Sequence, residues 1–201
     1  EVNNTTAGIT STLDTVEQAL STEEEMDDIC DVMRVCIERC FSMSRFITRF
    51  ADVVKIPEPT LTSVDLNDLA FTCKRFMEGM CTDRNITLRL EIDETLKEVK
   101  MDASLFEQVL VNIIKNAAES IEKDGEIIVR PLSPATIEVV DNGKGISKET
   151  EAKLFSPFFS TKPNGQGIGL IFIREVLMRH GCTFSLRTYT DGLTRFRILF
   201  P

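Results

Sequence analysis

Apolar positions recur at alternating steps of four and three through roughly the first fifty residues. Val2, Thr6, Ile9, Leu13, Val16 and Leu20 form one series. After a break at Ser21-Thr22, a second series runs Met26, Cys30, Met33, Ile37, Cys40, Ser44, Ile47, Ala51 and Val54. This spacing is the heptad signature of helices packed in a bundle. Two helices joined by a short turn make a hairpin, and one hairpin cannot cover both of its apolar stripes. A second copy would cover them in a four-helix bundle. Packing against the rest of the same chain would also do so, and the pattern alone does not choose.

Pro57 and Pro59, in Ile56-Pro-Glu-Pro59, break the helical pattern and mark a domain boundary, with residues 1–56 before it and 57–201 after. Beyond it, helical and strand periods alternate. Ser63 or Asp65 can cap a helix running to about Cys81, and Ile86, Leu88, Leu90 and Ile92 alternate as a half-buried strand. Asp102 caps a long helix from about Ala103 to Glu122. Strands are expected near Glu126–Arg130 and Thr136–Val140. A loop-rich stretch over 141–166 then leads into a helix near Gly167–His180. Thr183–Thr188 and Thr194–Phe200 close the chain as strands. Helices on one face of a mixed sheet make an α+β two-layer sandwich.

Composition narrows the class. With 201 residues, 42% hydrophobic and 27% charged, the chain reads as one or two ordinary soluble domains. A formal net charge of -9 argues against a general nucleic-acid surface. No apolar run is long enough to cross a bilayer, so no membrane contact is expected within this chain. The six cysteines form no CxxC pair and there is a single histidine, His180, so a Cys/His zinc site is poorly supported. Buried, reduced thiols in a cytoplasmic protein are the expectation.

Three segments of the second domain carry candidate chemistry. Asn112 and Asn116 lie four apart in the long helix, so both amides project from one face, where amide oxygens can ligate a hard cation. An asparagine pair on a helix is also an ordinary solvated feature. Asp141-Asn-Gly-Lys-Gly-Ile146 follows an apolar strand. A strand-end carboxylate can accept from an exocyclic amine, although Asp-Asn-Gly is equally a common turn. In Leu154-Phe-Ser-Pro-Phe-Phe-Ser-Thr-Lys162-Pro-Asn-Gly-Gln-Gly-Ile-Gly-Leu170, glycines at alternate positions open a helix whose amides favour phosphate. Lys162 adds a mobile cation there. Neither a Walker loop nor a dinucleotide fingerprint is present. Phe155, Phe158 and Phe159 fit the anchors of a hinged lid, or plain core.

A paired-Asn helix, a strand followed by DxGxGI, and a Phe-rich loop ending in GxGxG resemble, in that order, the N, G1, F and G2 boxes of the GHKL ATPase superfamily. Phe-Ser-Pro-Phe-Phe-Ser-Thr-Lys and Gly-Gln-Gly-Ile-Gly-Leu resemble sensor histidine kinases of the nitrogen-regulation type. The likeness covers 57–201 and extends to the ending Gly192-Leu-Thr-Arg-Phe-Arg-Ile-Leu-Phe-Pro201. It implies the Bergerat ATP-binding fold, ATP and Mg²⁺ as cofactors, and transfer of the γ-phosphate to a histidine.

The resemblance also assigns roles. Asn116, with Asn112 beside it, would hold Mg²⁺. Asp141 would read the adenine amine, and Gly143, Gly145 and Ile146 would shape the pocket. Gly165, Gly167, Ile168, Gly169 and Leu170 would cradle phosphates under a lid that includes Phe158 and Thr161. Lys162 would touch the terminal phosphates, and Thr194 would help bind adenine through water. Glu119 stands where many such kinases carry a basic residue, a departure that the nitrogen-regulation type tolerates.

Glu1-Val-Asn-Asn4 resembles the family's phosphoacceptor box without its leading histidine. That implies a histidine immediately upstream, with Glu1 as the base preparing its imidazole and Asn4 orienting a hydrolytic water. Residues 1–56 would then be the dimerisation and phosphotransfer hairpin, and a response-regulator receiver domain would be the partner. His180 is read as a helix-end residue, where a cation suits the dipole, and not as a catalyst. Two alternatives stand beside this reading. One is another GHKL ATPase, disfavoured because Asn112 occupies the place of the catalytic Glu four residues before the Mg²⁺ asparagine. The other is a non-catalytic nucleotide-binding or scaffolding module.

Overall fold

The structure is a computed structural model, and it describes residues 7–16, 26–54, 56–156, 159–160 and 167–201. The chain divides into two compact units, Glu1–Lys55 and Ile56–Pro201.

In the first unit, residues 7–16 form α1 and Met26–Val54 form α2. Cys36 is buried and its Sγ donates to the Ile9 carbonyl at 3.6 Å, so this side of α2 faces α1. Another stripe of α2 is uncovered. Met33, Ile37 and Ile47 are each about half exposed, and Cys40 is also exposed, a correction to the expectation that the cysteines are uniformly buried. The heptad positions of α2 are therefore not satisfied by α1. The turn at Ser21-Thr22 lies outside the described residues.

The second unit is a two-layer α+β sandwich. Its helices are α3 (Leu66–Thr82), α4 (Ala103–Ile121), α5 (Lys148–Glu151) and α6 (Gly169–Arg179). Its strands are β1 (Thr62–Val64), β2 (Ile86–Leu90), β3 (Val99–Met101), β4 (Gly125–Leu132), β5 (Thr136–Asp141), β6 (Thr183–Thr188) and β7 (Thr194–Leu199). The main sheet has order β2-β4-β5-β7-β6, parallel between β2 and β4 and antiparallel elsewhere. The antiparallel β1–β3 pair and α5 were not foreseen from the sequence. Both strands of the small pair are three residues long, too short for alternation to register.

The long helices bury one stripe each. Leu66, Leu69, Ala70, Cys73, Met77 and Cys81 line α3 at helical spacing. In α4, Phe106, Val109, Leu110, Ile113 and Ile114 meet the side chains of Ile127, Val129, Ile137 and Val139 that alternate along the sheet. Asp65 caps α3 by accepting from the Asn67 amide at 2.7 Å, which decides between the two expected caps. Asp102 caps α4 through the Leu105 amide and also accepts from Thr60 N at 3.0 Å, which pins the linker to the helix start. Burial holds the thiols of Cys73 and Cys182 protonated, pushed up to about 12.

On the sheet face away from the helices, Glu138 is fully buried between its two cross-strand neighbours. Arg130 Nε donates to one carboxylate oxygen at 2.7 Å and Arg197 Nε to the other at 3.0 Å. Two guanidinium groups thus compensate one desolvated carboxylate across β4, β5 and β7.

Candidate functional site

Strand β5 is buried along its whole length, and its last residue is Asp141. The carboxylate is nearly inaccessible, with its Oδ1 accepting from the Gly143 amide at 3.0 Å. Burial raises its pKa to about 6, and the Gly143 hydrogen bond pulls it back only partly. Among the described residues no cation pairs with it. A buried carboxylate of this kind fits a ligand that donates hydrogen bonds.

The loop after Asp141 is held on every side. Asn142 Oδ1 accepts from Glu126 N at 2.9 Å, and Lys144 N donates to the Ser120 carbonyl at the end of α4 at 3.3 Å. A Cβ at Gly143 would stand 2.5 Å from Ser120 Oγ and 2.9 Å from Asp141 Oδ1, so only glycine fits. Gly145 has φ +75°, in the left-handed region where a side chain is strained. Ile146 N donates to Thr188 Oγ1 at 2.7 Å. Thr194, buried, lies opposite Asp141 in the β5–β7 register, and its hydroxyl is 2.9 Å from that of Thr188. The structure therefore brings Asp141, Gly143, Gly145, Ile146 and Thr194 together around one strand end.

Asn112 and Asn116 project from α4 into half-exposed positions. Asn112 Nδ2 donates to the Gln108 carbonyl at 2.9 Å, which leaves its Oδ1 as the outward oxygen. That oxygen lies 4.0 Å from where a Cβ of Gly169 would stand, so the asparagine helix faces the start of α6. Gly167 has φ +64°, Ile168 is buried, and Gly169 and Leu170 begin α6. Amide oxygens beside a helix N-terminus reached through a left-handed glycine suit a cation and an anion side by side. The first aromatic of the Phe-rich segment is anchored: Phe155 packs edge-on against Phe184 at 5.2 Å and Phe196 at 6.4 Å. Glu1, Asn4, Phe158, Thr161, Lys162 and Gly165 lie outside the described residues. A cleft of about 650 Å³ between residues 95–100, Ser133–Ala135 and Pro201 contains none of the candidates.

His180 closes α6 as its C-cap, the helix-end residue expected, but it is not the expected cation. It is buried, its Nδ1 donates to the Val176 carbonyl at 2.7 Å, and its Nε2 accepts from the Asp102 amide at 3.1 Å. An imidazole that accepts at one nitrogen and donates at the other is neutral, so His180 is not the cation of this helix end, and Arg179 is the basic residue of the last turn. Thr188 went unnoticed in the sequence. Its signal was the short Tyr189–Leu193 hairpin, which sets Thr188 opposite Thr194. No group of three or more metal-binding side chains occurs among the described residues, and none of their helices is long and apolar enough to cross a membrane.

Residues 101–201 match the family described as histidine kinase-, DNA gyrase B-, and HSP90-like ATPase. The chain belongs to this family, and its second unit is a GHKL domain of the sensor histidine kinase kind. It is 29% identical over 175 residues to the sensor histidine kinase ZraS of Salmonella typhi, covering 85% of this chain and 38% of that protein. It is 26% identical over 219 residues to the sensory histidine kinase/phosphatase NtrB of Rhodobacter capsulatus, covering 100% of this chain and 59% of that protein. The chain thus spans about two fifths to three fifths of these relatives. Among solved structures, the nucleotide-free catalytic domain of histidine kinase ThkA superposes with TM-score 0.62 at 28% identity, covering 71% of this chain and 95% of that one. ThkA in complex with the response regulator protein TrrA superposes with TM-score 0.66 at 20% identity, covering 99% and 59%, a likeness of fold.

Proposed function

We propose that this chain is the catalytic core of a two-component protein-histidine kinase that binds Mg-ATP and passes its γ-phosphate to a histidine preceding Glu1. The observation that carries the reading is the buried Asp141 carboxylate at the end of β5, paired with no cation among the described residues, with Gly143, Gly145 and Thr194 around it. Asp141 accepts from the adenine amine, and Thr194 supports the base through water. Asn116 and Asn112 offer amide oxygens to Mg²⁺, while Gly165, Gly167, Gly169 and Lys162 hold the phosphates beneath a lid that includes Phe158 and Thr161. Bound Mg-ATP supplies the transferable phosphoryl group, and catalysis is mostly positioning and charge neutralisation. Glu1 acts as the base on the acceptor imidazole, and Asn4 orients the water that later hydrolyses the phosphohistidine, releasing phosphate and restoring the imidazole.

The uncovered stripe of Met33, Ile37, Cys40 and Ile47 supports homodimerisation through residues 1–56 into a four-helix bundle. A receiver-domain aspartate is the onward acceptor, docking near Asn4; the ThkA complex with TrrA supports that class of partner. The setting is cytoplasmic. The test is labelling with γ-phosphate-labelled ATP of a longer chain that carries a histidine before Glu1. An acid-labile, alkali-stable phosphoprotein is expected. A chain that binds Mg-ATP yet transfers nothing under any lid or partner condition is a nucleotide sensor, and the kinase reading fails.

A further inference from the structure

Thr188 ends β6 directly opposite Thr194, which is itself opposite Asp141, so the three side chains lie in one row across the sheet. Its hydroxyl joins two partners that come from different elements: it accepts from Ile146 N at 2.7 Å and shares a hydrogen bond with Thr194 Oγ1 at 2.9 Å. Its methyl stands 3.2 Å from where a Cβ of Gly145 would be, so the same side chain walls the left-handed turn. Without this hydroxyl, Ile146 N–H and the buried Thr194 hydroxyl would each lose their described partner, an expensive condition inside a packed site.

We propose that Thr188 is a positioning residue for base recognition. Through one oxygen it fixes the Gly145–Ile146 backbone and the rotamer of Thr194 beside Asp141, and so sets how strongly the site selects a purine bearing an exocyclic amine. The inference rests on the reading of Asp141 as the group that meets that amine. Thr188 itself touches the framework and not the base.

Two conservative variants separate this role from plain packing. Thr188→Val keeps the volume and the methyl but replaces the hydroxyl by a second methyl, whereas Thr188→Ser keeps the hydroxyl and removes the methyl. Binding of ATP and of purine riboside triphosphate, which lacks the amine, is measured calorimetrically for the parent and both variants. Thr188→Val is expected to weaken ATP about tenfold while weakening the analogue much less, so the preference for the amine contracts. Thr188→Ser is expected to stay within about twofold of the parent for both ligands. Should Thr188→Val fail to fold by circular dichroism, Thr188→Ala carries the same comparison.

The proposal is overturned if Val binds and discriminates like the parent, if it weakens both ligands equally, or if Ser is the impaired variant. A parent chain that binds neither ligand, or binds both alike, defeats the reading of Asp141 instead. The two failures are therefore distinguishable.

Discussion

His180 Nε2 accepts the Asp102 backbone amide at 3.1 Å, so the end of α6 is clamped onto the start of α4. Both nitrogens of the ring are used, and it meets Phe106 edge-on at 4.8 Å between centroids, with Phe106 tilted in turn against Phe200 at 5.0 Å. His180→Ala removes a buried ring and leaves the Asp102 amide without its partner, while the Val176 carbonyl keeps only the backbone amide of residue 180. The expected loss is about 2–4 kcal/mol in denaturant unfolding. ATP affinity of the variant, measured well below its unfolding midpoint, should stay close to the parent. An unchanged stability would show that the clamp contributes nothing.

Asp141 predicts a conflict between binding and stability. Its folded pKa, about 6, lies above that of an exposed aspartate, because burial disfavours the charge. In this direction the native state holds its proton more tightly than the unfolded chain. Stability contributed by the site is present at low pH and is lost as pH rises from about 4 to about 6. At neutral pH the buried charge costs up to about 3 kcal/mol. Asp141→Asn should therefore raise the unfolding midpoint at pH 7 while abolishing ATP binding. In the parent, ATP affinity should fall as pH drops through 6. If Asp141→Asn binds ATP normally, or if affinity is flat from pH 7.5 to 5.5, the carboxylate does not read the ligand.

Most of the architecture was legible because it is written in long periods. The stripes of α3 and α4 and the alternation of β2 and β7 extend over enough residues for their period to register. Asp102 as a cap was visible for the same reason, since it abuts a long apolar pattern. What escaped depends on partners far away in sequence. The Arg130–Glu138–Arg197 cluster exists only because three strands are in register, and Glu138 taken alone reads as solvent-facing. His180 reads as a cation at a helix end until Asp102, 78 residues away, is placed against its ring. The site followed the same division. Asp141, Gly143 and Gly145 alternate within one short segment whose spacing marks them as candidates, whereas Thr188 meets that segment only through contacts to Ile146 and Thr194.

The first unit makes a separate prediction. Met33 is 50%, Ile37 52% and Ile47 51% exposed along one heptad series of α2. An apolar seam of this length left in water favours association. Ile37→Asp should shift the chain from dimer to monomer in light scattering at matched concentration, because burying a carboxylate in the seam is costly. ATP affinity should be untouched, since residues 56–201 form their own compact unit. A parent chain that remains monomeric at high concentration would sink the four-helix bundle.

The metal reading turns on the different surroundings of the two asparagines. Asn112 spends its amide nitrogen on the Gln108 carbonyl of its own helix, which orients its oxygen outward near Gly169. Asn116 sits one turn further along α4, closer in sequence to Ser120, which packs beside Gly143. An amide oxygen is a hard donor suited to Mg²⁺, and a cation held through one or two protein oxygens keeps several waters. Asn116→Ala should thus leave measurable affinity for ATP in EDTA but remove the gain that Mg²⁺ confers on the parent. Asn116→Asp, which retains an oxygen donor, should keep part of that gain. Asn112→Ala should reduce the Mg²⁺ response by a smaller factor, because a water can take the place of one ligand in an already hydrated shell. The readout is the ratio of ATP dissociation constants with and without Mg²⁺, in which each tenfold step corresponds to about 1.4 kcal/mol. An Asn116→Ala chain whose ratio equals that of the parent would move the cation off this helix, whatever its absolute affinity for ATP.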